Sequence, residues 1–131
     1  MRRVFLDANV LFSAAYRERP GLLTLWELPG VRLLTSGYAA EEARRNLDSP
    51  ERRLRLENLL DTVEIVPEAP SHPLPADVRL PQNDQPILRA ALAAGATHLL
   101  TGDLRDFGHL LDRKVAGVRI QTPGAFLRSI R

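Results

Sequence analysis

The chain alternates short apolar runs with amphipathic stretches, and the period of its apolar positions predicts the order of elements. Val4, Phe5 and Leu6 form a buried-strand run that ends at Asp7. Residues 8–16 then carry Val10, Leu11, Ala14 and Ala15 at helical spacing on one face. Pro20 and Gly21 open a second short helix that Pro29 and Gly30 close. Residues 31–35 read as the next strand. Ser36 is placed to cap a helix running to about Leu47, and Asp48, Ser49 and Pro50 start another through Leu60. Residues 63–66 make a third strand. The stretch 67–81, PEAPSHPLPADVRLP, is rich in proline and predicts an extended loop. A loop of that length inside a compact domain is often functional. From Asn83, Ile87, Leu88, Ala91 and Leu92 share a helical face as far as the stop at Gly95. A strand over 98–101, a short helix over 107–111, a strand over 118–121 and a last helix over 123–130 complete the order. There is no internal repeat, and residues 1–131 read as one domain.

Strands alternating with helices predict an α/β fold in which a mostly parallel sheet is covered by helices on both faces. In such sheets ligands collect beyond the carboxyl ends of the strands. Carboxylates gather at those positions here. Asp7 ends the first strand and Asp103 follows the fourth. Glu42 lies about two turns into the helix after the second strand, and Asp84 begins the helix that feeds the fourth. Asp106 stands three residues beyond Asp103, a spacing that places two side chains on one helical face. Several acids from separate segments, without evident basic partners, are the donor set a hard divalent cation requires. Magnesium or manganese takes oxygen ligands in octahedral geometry and retains waters. Each acid also has a plain structural use. Asp7 and Asp84 can cap the helices after them, Asp103 can hold a turn with Gly102, and Glu42 can face solvent.

Composition narrows the classes further. The 131 residues are 44% hydrophobic and 26% charged, values of a folded globular domain rather than a disordered chain. No apolar run approaches the ~18–20 residues of a membrane-spanning helix. The opening MRRVFLDANV reaches an acid by position 7, too early for a secretory apolar region, so a cytoplasmic setting is expected. The absence of cysteine excludes disulfides, thiolate metal sites and cysteine nucleophiles. The formal net charge is only +2, yet Lys114 is the sole lysine among 18 basic residues. Arginine suits phosphate and carboxylate partners. Arg44, Arg45, Arg52, Arg53 and Arg55 cluster on the two helices after the second strand. They are read either as contacts to RNA phosphates or as a solvated face paired with Glu41, Glu51 and Glu57.

The runs VFLDANVLFSA, TSGYAAEEARRNL, NDQPILRAALAAGATHLLTGDLRDF and TPGAFL, in this order from residue 3 to 128, resemble a PIN domain. The similarity is greatest to the small toxin-type PIN proteins, the VapC-like ribonucleases of toxin–antitoxin pairs. The resemblance implies a three-layer α/β/α sandwich on a five-stranded, mostly parallel sheet. It also implies a metal-dependent endonuclease acting on RNA, commonly a homodimer, inhibited by a separate antitoxin protein and not bound to membranes. The family's acids fall on Asp7, Glu42, Asp84 and Asp103, with Asp106 as an accessory fifth. Glu41 is the neighbour that could replace Glu42, and adjacent helix residues, ~100° apart, cannot both face inward. Asn9 and Thr101 fall where hydrogen bonds would steady the acids. On this reading Asp7, Asp84 and Asp103 bind magnesium or manganese directly or through water, and Glu42 completes the set or orients the attacking water. Two full charges ~5 Å apart repel by about 3 kcal/mol at an effective dielectric near 20, so such a pocket must take up protons, spread or bind cations.

Three other readings meet the same residues. A phosphoacceptor receiver domain expects adjacent acids after the first strand and a lysine after the last, but Leu6 precedes Asp7 and Lys114 precedes its strand. A haloacid-type phosphatase expects an aspartate where Asn9 stands. A PIN-fold module that binds RNA or protein without cleaving is the remaining alternative. Four retained buried acids are costly to such a module.

Overall fold

The structure, a computed structural model, describes residues 1–18 and 20–130; Arg19 and Arg131 lie outside it. The elements follow as β1 (Arg2–Leu6), α1 (Ala8–Tyr16), a 3-10 segment (Gly21–Glu27), β2 (Val31–Ser36), α2 (Gly37–Asn46) and α3 (Pro50–Leu60). They continue with β3 (Glu64–Val66), α4 (Gln85–Ala93), β4 (His98–Leu100), α5 (Leu104–Phe107), a 3-10 turn (Gly108–Leu110), β5 (Lys114–Val115), β6 (Val118–Gln121) and α6 (Pro123–Ser129). The sheet runs β3-β2-β1-β4-β6-β5, parallel except for β5. Helices cover both faces, giving the expected three-layer sandwich.

The sequence pattern predicted five strands, and the sixth is β5, two residues paired antiparallel with β6 through Val115 and Val118. Its turn places Ala116 at φ 48° and Gly117 at φ 90°. Tight hairpins need two such residues, usually Asn-Gly, so Ala-Gly after a two-residue strand carries almost no sequence signal. Two further differences are at element ends. The segment after Pro20 is a 3-10 helix, and the helix expected from Asn83 begins at Gln85, because Asp84 N–H closes a turn on the Pro81 carbonyl.

Consecutive strand residues feed opposite cores, which is why the strands read as unbroken apolar runs. Val4 and Leu6 pack with Val10, Leu11, Leu33, Leu56, Leu100 and Phe126 on one face. Phe5 packs with Leu34, Ile87, Leu88, Leu99, Phe107 and Ile120 on the other. The 67–81 loop covers this second face, seating Leu74, Val78 and Leu80 on the core. Arg89 of α4 donates to the carbonyl of His72 and holds the loop down. His98 is packed in its strand, its ring edge-on to Phe126 at 4.9 Å between centroids, and burial lowers its pKa. Among the described residues, no helix is long and apolar enough to cross a membrane.

Four of the five clustered arginines are structural. α1 ends with no basic residue in its last turn, and its free carbonyls are satisfied from α3. Arg55 donates to the carbonyls of Ala15 and Tyr16 at 2.9 and 3.0 Å, and Arg52 donates to Tyr16 at 3.0 Å while its guanidinium lies 3.8 Å over the Tyr16 ring. Arg53 closes the end of α2 through the carbonyl of Leu47. Arg44 clasps Glu57 at 2.7 and 3.0 Å and reaches Glu41 at 3.5 Å. Arg44 thus has its donors turned to the carboxylates of Glu41 and Glu57, the pairing of a solvated helical face. Arg45 is exposed and makes no hydrogen bond or ion pair among the described residues. Arg55→Ala should lower stability by about 1–2 kcal/mol, because the half-buried Ala15 carbonyl loses its charged donor while Tyr16 keeps Arg52. Arg45→Ala should stay within about 0.5 kcal/mol of wild type. Urea unfolding of the two variants checks both values.

Candidate metal centre

β1 sits between β2 and β4, and the chain order reverses between them, so the carboxyl ends of β1 and β4 flank the switch point of the sheet. Asp7 leaves β1 there with its carboxylate buried, only 4% exposed. Its Oδ1 accepts from the N–H of Ala8 at 2.7 Å, and its Oδ2 accepts from Thr101 Oγ1 at 2.8 Å and Asn9 Nδ2 at 3.2 Å. Asn9 Oδ1 in turn accepts from the N–H of Gly102 at 2.7 Å, and Thr101 Oγ1 accepts from the N–H of Asp103 at 3.0 Å. A side chain at Gly102 would press on Asn9 Oδ1, since a Cβ there stands 3.3 Å away. Asn9 and Thr101 thus occupy the bracing positions anticipated from sequence. Burial pushes the Asp7 carboxyl up to about 6 against these stabilising hydrogen bonds, and the charge of Glu42 adds to the rise.

Asp84, Asp103 and Asp106 each place one carboxylate oxygen within 4.8 Å of the other two. α5 is a single turn, capped by Asp103 Oδ1 accepting from the N–H of Asp106 at 3.0 Å. That cap directs both acids toward the start of α4. Asp84 precedes α4 yet makes no capping hydrogen bond. The plain capping use of Asp84 is therefore not what the structure shows, whereas Asp7 and Asp103 do cap. Asp84 Oδ2 is buried and has no hydrogen-bond partner among the described residues. Burial is the main force raising the Asp84 carboxyl to about 7, followed by the carboxyl contact with Asp106 and the charges of Asp106, Asp103 and Asp7. Asp106, ranked as accessory from sequence, stands in the tight triad, while Asp7 stands outside that spacing with both oxygens already held by protein donors.

Glu42 is half-buried and, with Asn9, lines a hollow of about 420 Å³ closed by Ala8, Phe12 and Asn46. Glu41 is exposed and tied to Arg44 at 3.5 Å. Of the two glutamates, Glu42 is the one that lies on the side of Asn9 and Asp7. Tyr38 packs on the core, and its hydroxyl also donates to the carbonyl of Asn83 at 2.7 Å, beside Asp84. Burial raises its phenol pKa; Glu42, Asp84 and Asp7 add to the rise and Arg45 opposes it. The hydrogen bond to Asn83 sets the Tyr38 hydroxyl at the rim of the acids. A spacing rule for carboxylates has no way to find a tyrosine, and only its position one helical turn before Glu42 hinted at it.

The architecture and the acid cluster define an α/β/α domain with an oxygen-donor site at its switch point. A family model described as PIN domain matches residues 3–105, and the chain belongs to that family. Its fold is similar to that in a DNA-bound VapBC from Salmonella typhimurium, with a TM-score of 0.69 and 21% identity over 94% of this chain and 99% of the other. VapBC2 from Rickettsia felis, bound to a DNA fragment from their promoter, gives 0.65 and 15% over 92% and 98%. FitAcB from Neisseria gonorrhoeae gives 0.54 and 20% over 92% and 98%. No curated protein matches the sequence.

The raised carboxyls fix a pH dependence of stability. Asp7 and Asp84 ordinarily titrate near 3.8 and here near 6 and 7, so the unfolded chain releases their protons first as pH rises. Their contribution therefore favours the folded state below about pH 4 and is lost through pH 7. Asp84→Asn removes one such charge, and in EDTA at pH 8 it should melt higher than wild type by about 3 °C or more, with the difference vanishing near pH 4. Paired thermal melts across that range provide the check.

Proposed function

We propose that this chain is a magnesium- or manganese-dependent endoribonuclease and the toxin of a toxin–antitoxin pair. The observation that carries the reading is the Asp84–Asp103–Asp106 triad, with the buried, unpartnered Oδ2 of Asp84, at the switch point of a PIN domain. The residues fit a hard divalent cation. The donors are all carboxylate oxygens, no arginine or lysine pairs with them among the described residues, and their mutual repulsion already drives protons onto Asp84. Asp84, Asp103 and Asp106 would hold the ion, with Asp7 and Glu42 completing the acidic ring. When bound, such an ion supplies Lewis acidity toward water and the scissile phosphate and offsets charge on the leaving oxygen.

The protein's own parts in this chemistry follow from their contacts. Thr101 and Asn9 fix the Asp7 carboxylate, so the β1 and β4 ends keep one geometry during turnover. Glu42, at the hollow it shares with Asn9, is the group offered to accept a proton from the attacking water. Arg45, exposed on α2 three residues past Glu42, is the basic group offered to the RNA backbone. The partners belonging to this reading are an RNA substrate, a separate antitoxin chain that covers the acids, and a second copy of the chain in a homodimer, all in the cytoplasm. The solved VapBC and FitAcB folds support the antitoxin partner through the shared architecture. The competing reading, a PIN module that binds RNA or protein without cutting, leaves the unpartnered Asp84 oxygen without a use.

Labelled structured and unstructured RNAs, incubated with the chain in manganese, magnesium or EDTA, separate the two. Metal-dependent cutting that falls at least about 100-fold in Asp84→Asn is expected. RNA binding that is equal with and without metal, and never followed by cutting, would overturn the nuclease.

A further inference from the structure

A second hollow, of about 430 Å³, opens on the same edge of the sheet, over the ends of β2 and β3. Three connections build it. Tyr38 comes from the first turn of α2, Glu68 to Pro70 from the chain just past β3, and Gln82, Gln85, Pro86 and Arg89 from the start of α4. Its size lies in the range of small-ligand clefts, about 300–1,000 Å³. None of the acids lines it, but one of its walls reaches the residue beside Asp84. Tyr38 forms its wall and binds the carbonyl of Asn83, the residue before Asp84, while Gln85 follows Asp84 directly.

The lining is chemically specific. The Tyr38 ring, Pro70 and Pro86 offer flat apolar surfaces. The polar rim is oriented rather than free. Gln85 Nε2 donates to the carbonyl of Leu80 at 3.1 Å, and Arg89 is spent on the carbonyl of His72 and on Gln85 Oε1. Glu68 Oε2 accepts from the N–H of Tyr38 at 2.9 Å, which aims the carboxylate and leaves Oε1 available. A phosphate would meet that carboxylate as a like charge, so the sugar–phosphate chain is excluded as the occupant. A flat ring that donates a hydrogen bond fits both features.

We infer that this hollow is a nucleobase subsite beside the scissile position, and that Glu68 selects bases bearing an exocyclic amino group (cytosine, adenine or guanine) over uracil. Resting on the nuclease reading for its use, the subsite gives the 67–81 segment a role: its start supplies the selecting carboxylate, and Arg89 holds the loop in place. Uracil offers that carboxylate only its N3–H, flanked on both sides by carbonyl oxygens whose lone pairs would lie against the Glu68 oxygens, whereas an exocyclic amino group brings only donors at its position.

The test does not require cleavage. The full-length chain, isotopically labelled and kept in EDTA, is titrated with cytidine, adenosine, guanosine and uridine while backbone amide shifts are followed. Shifts at Tyr38, Ala69, Gln82 and Gln85 are expected, with uridine binding about five- to thirty-fold more weakly than cytidine. Glu68→Gln keeps an acceptor for the Tyr38 N–H and gains a donor, so it should fold and move the preference toward uridine. Equal binding of all four nucleosides, shifts confined to other surfaces, or a preference untouched by Glu68→Gln would each overturn the subsite. A chain that cuts no RNA yet shows the expected shifts would sink the nuclease reading and leave the subsite standing.

Discussion

The structure depends on one buried charge. Asp7 ends the central strand with 4% of its surface exposed, and every oxygen lone pair it uses is engaged by a neighbour fixed to the β4 end or to α1. Thr101 faces Asp7 on one side and the N–H of Asp103 on the other, and Asn9 reaches the N–H of Gly102. The direction in which the chain leaves β4, and with it the placing of Asp103 and Asp106, is thus set by a carboxylate ninety residues earlier in sequence. A buried carboxylate without those donors would cost several kcal/mol, so the network and the acid stand or fall together.

Around this anchor the protein accumulates repulsion rather than relieving it. Asp84 could have capped α4 and does not; its Oδ2 stays buried among three other acids. By contrast, Arg52 and Arg55 close the far end of α1 and Arg53 the far end of α2, where none of them relieves the acids. A fold that merely needed stability would have exchanged these arrangements. Unrelieved like charges gathered at the carboxyl edge of the sheet are a stability cost of the kind that functional sites carry.

Much of this was legible along the chain. The apolar runs at Val4 to Leu6 and at Leu99 and Leu100 mark strands buried on both faces, and Pro50, Gly95 and Pro123 mark helix ends. Carboxylates at strand ends then follow from element order alone, because parallel strands bring every carboxyl end to one edge. What escaped was set by short or side-chain-dependent features. β5 is two residues long with an Ala-Gly turn, and Tyr38 reaches the residue beside Asp84 through its hydroxyl tip.

By itself, then, the sequence determined the alternation of strands and helices, the sheet they form and the family of acids at its edge, since these follow from periodicity and local caps. Tertiary structure alone decided which acids meet. Asp84, Asp103 and Asp106 converge while Asp7 is consumed by Thr101, Asn9 and Ala8, and Glu42 faces the site while Glu41 pairs with Arg44. It also decided that the loop after β3 brings Glu68 to the N–H of Tyr38, thirty residues away. Such choices depend on helix rotation and loop closure in three dimensions, which one-dimensional spacing does not encode.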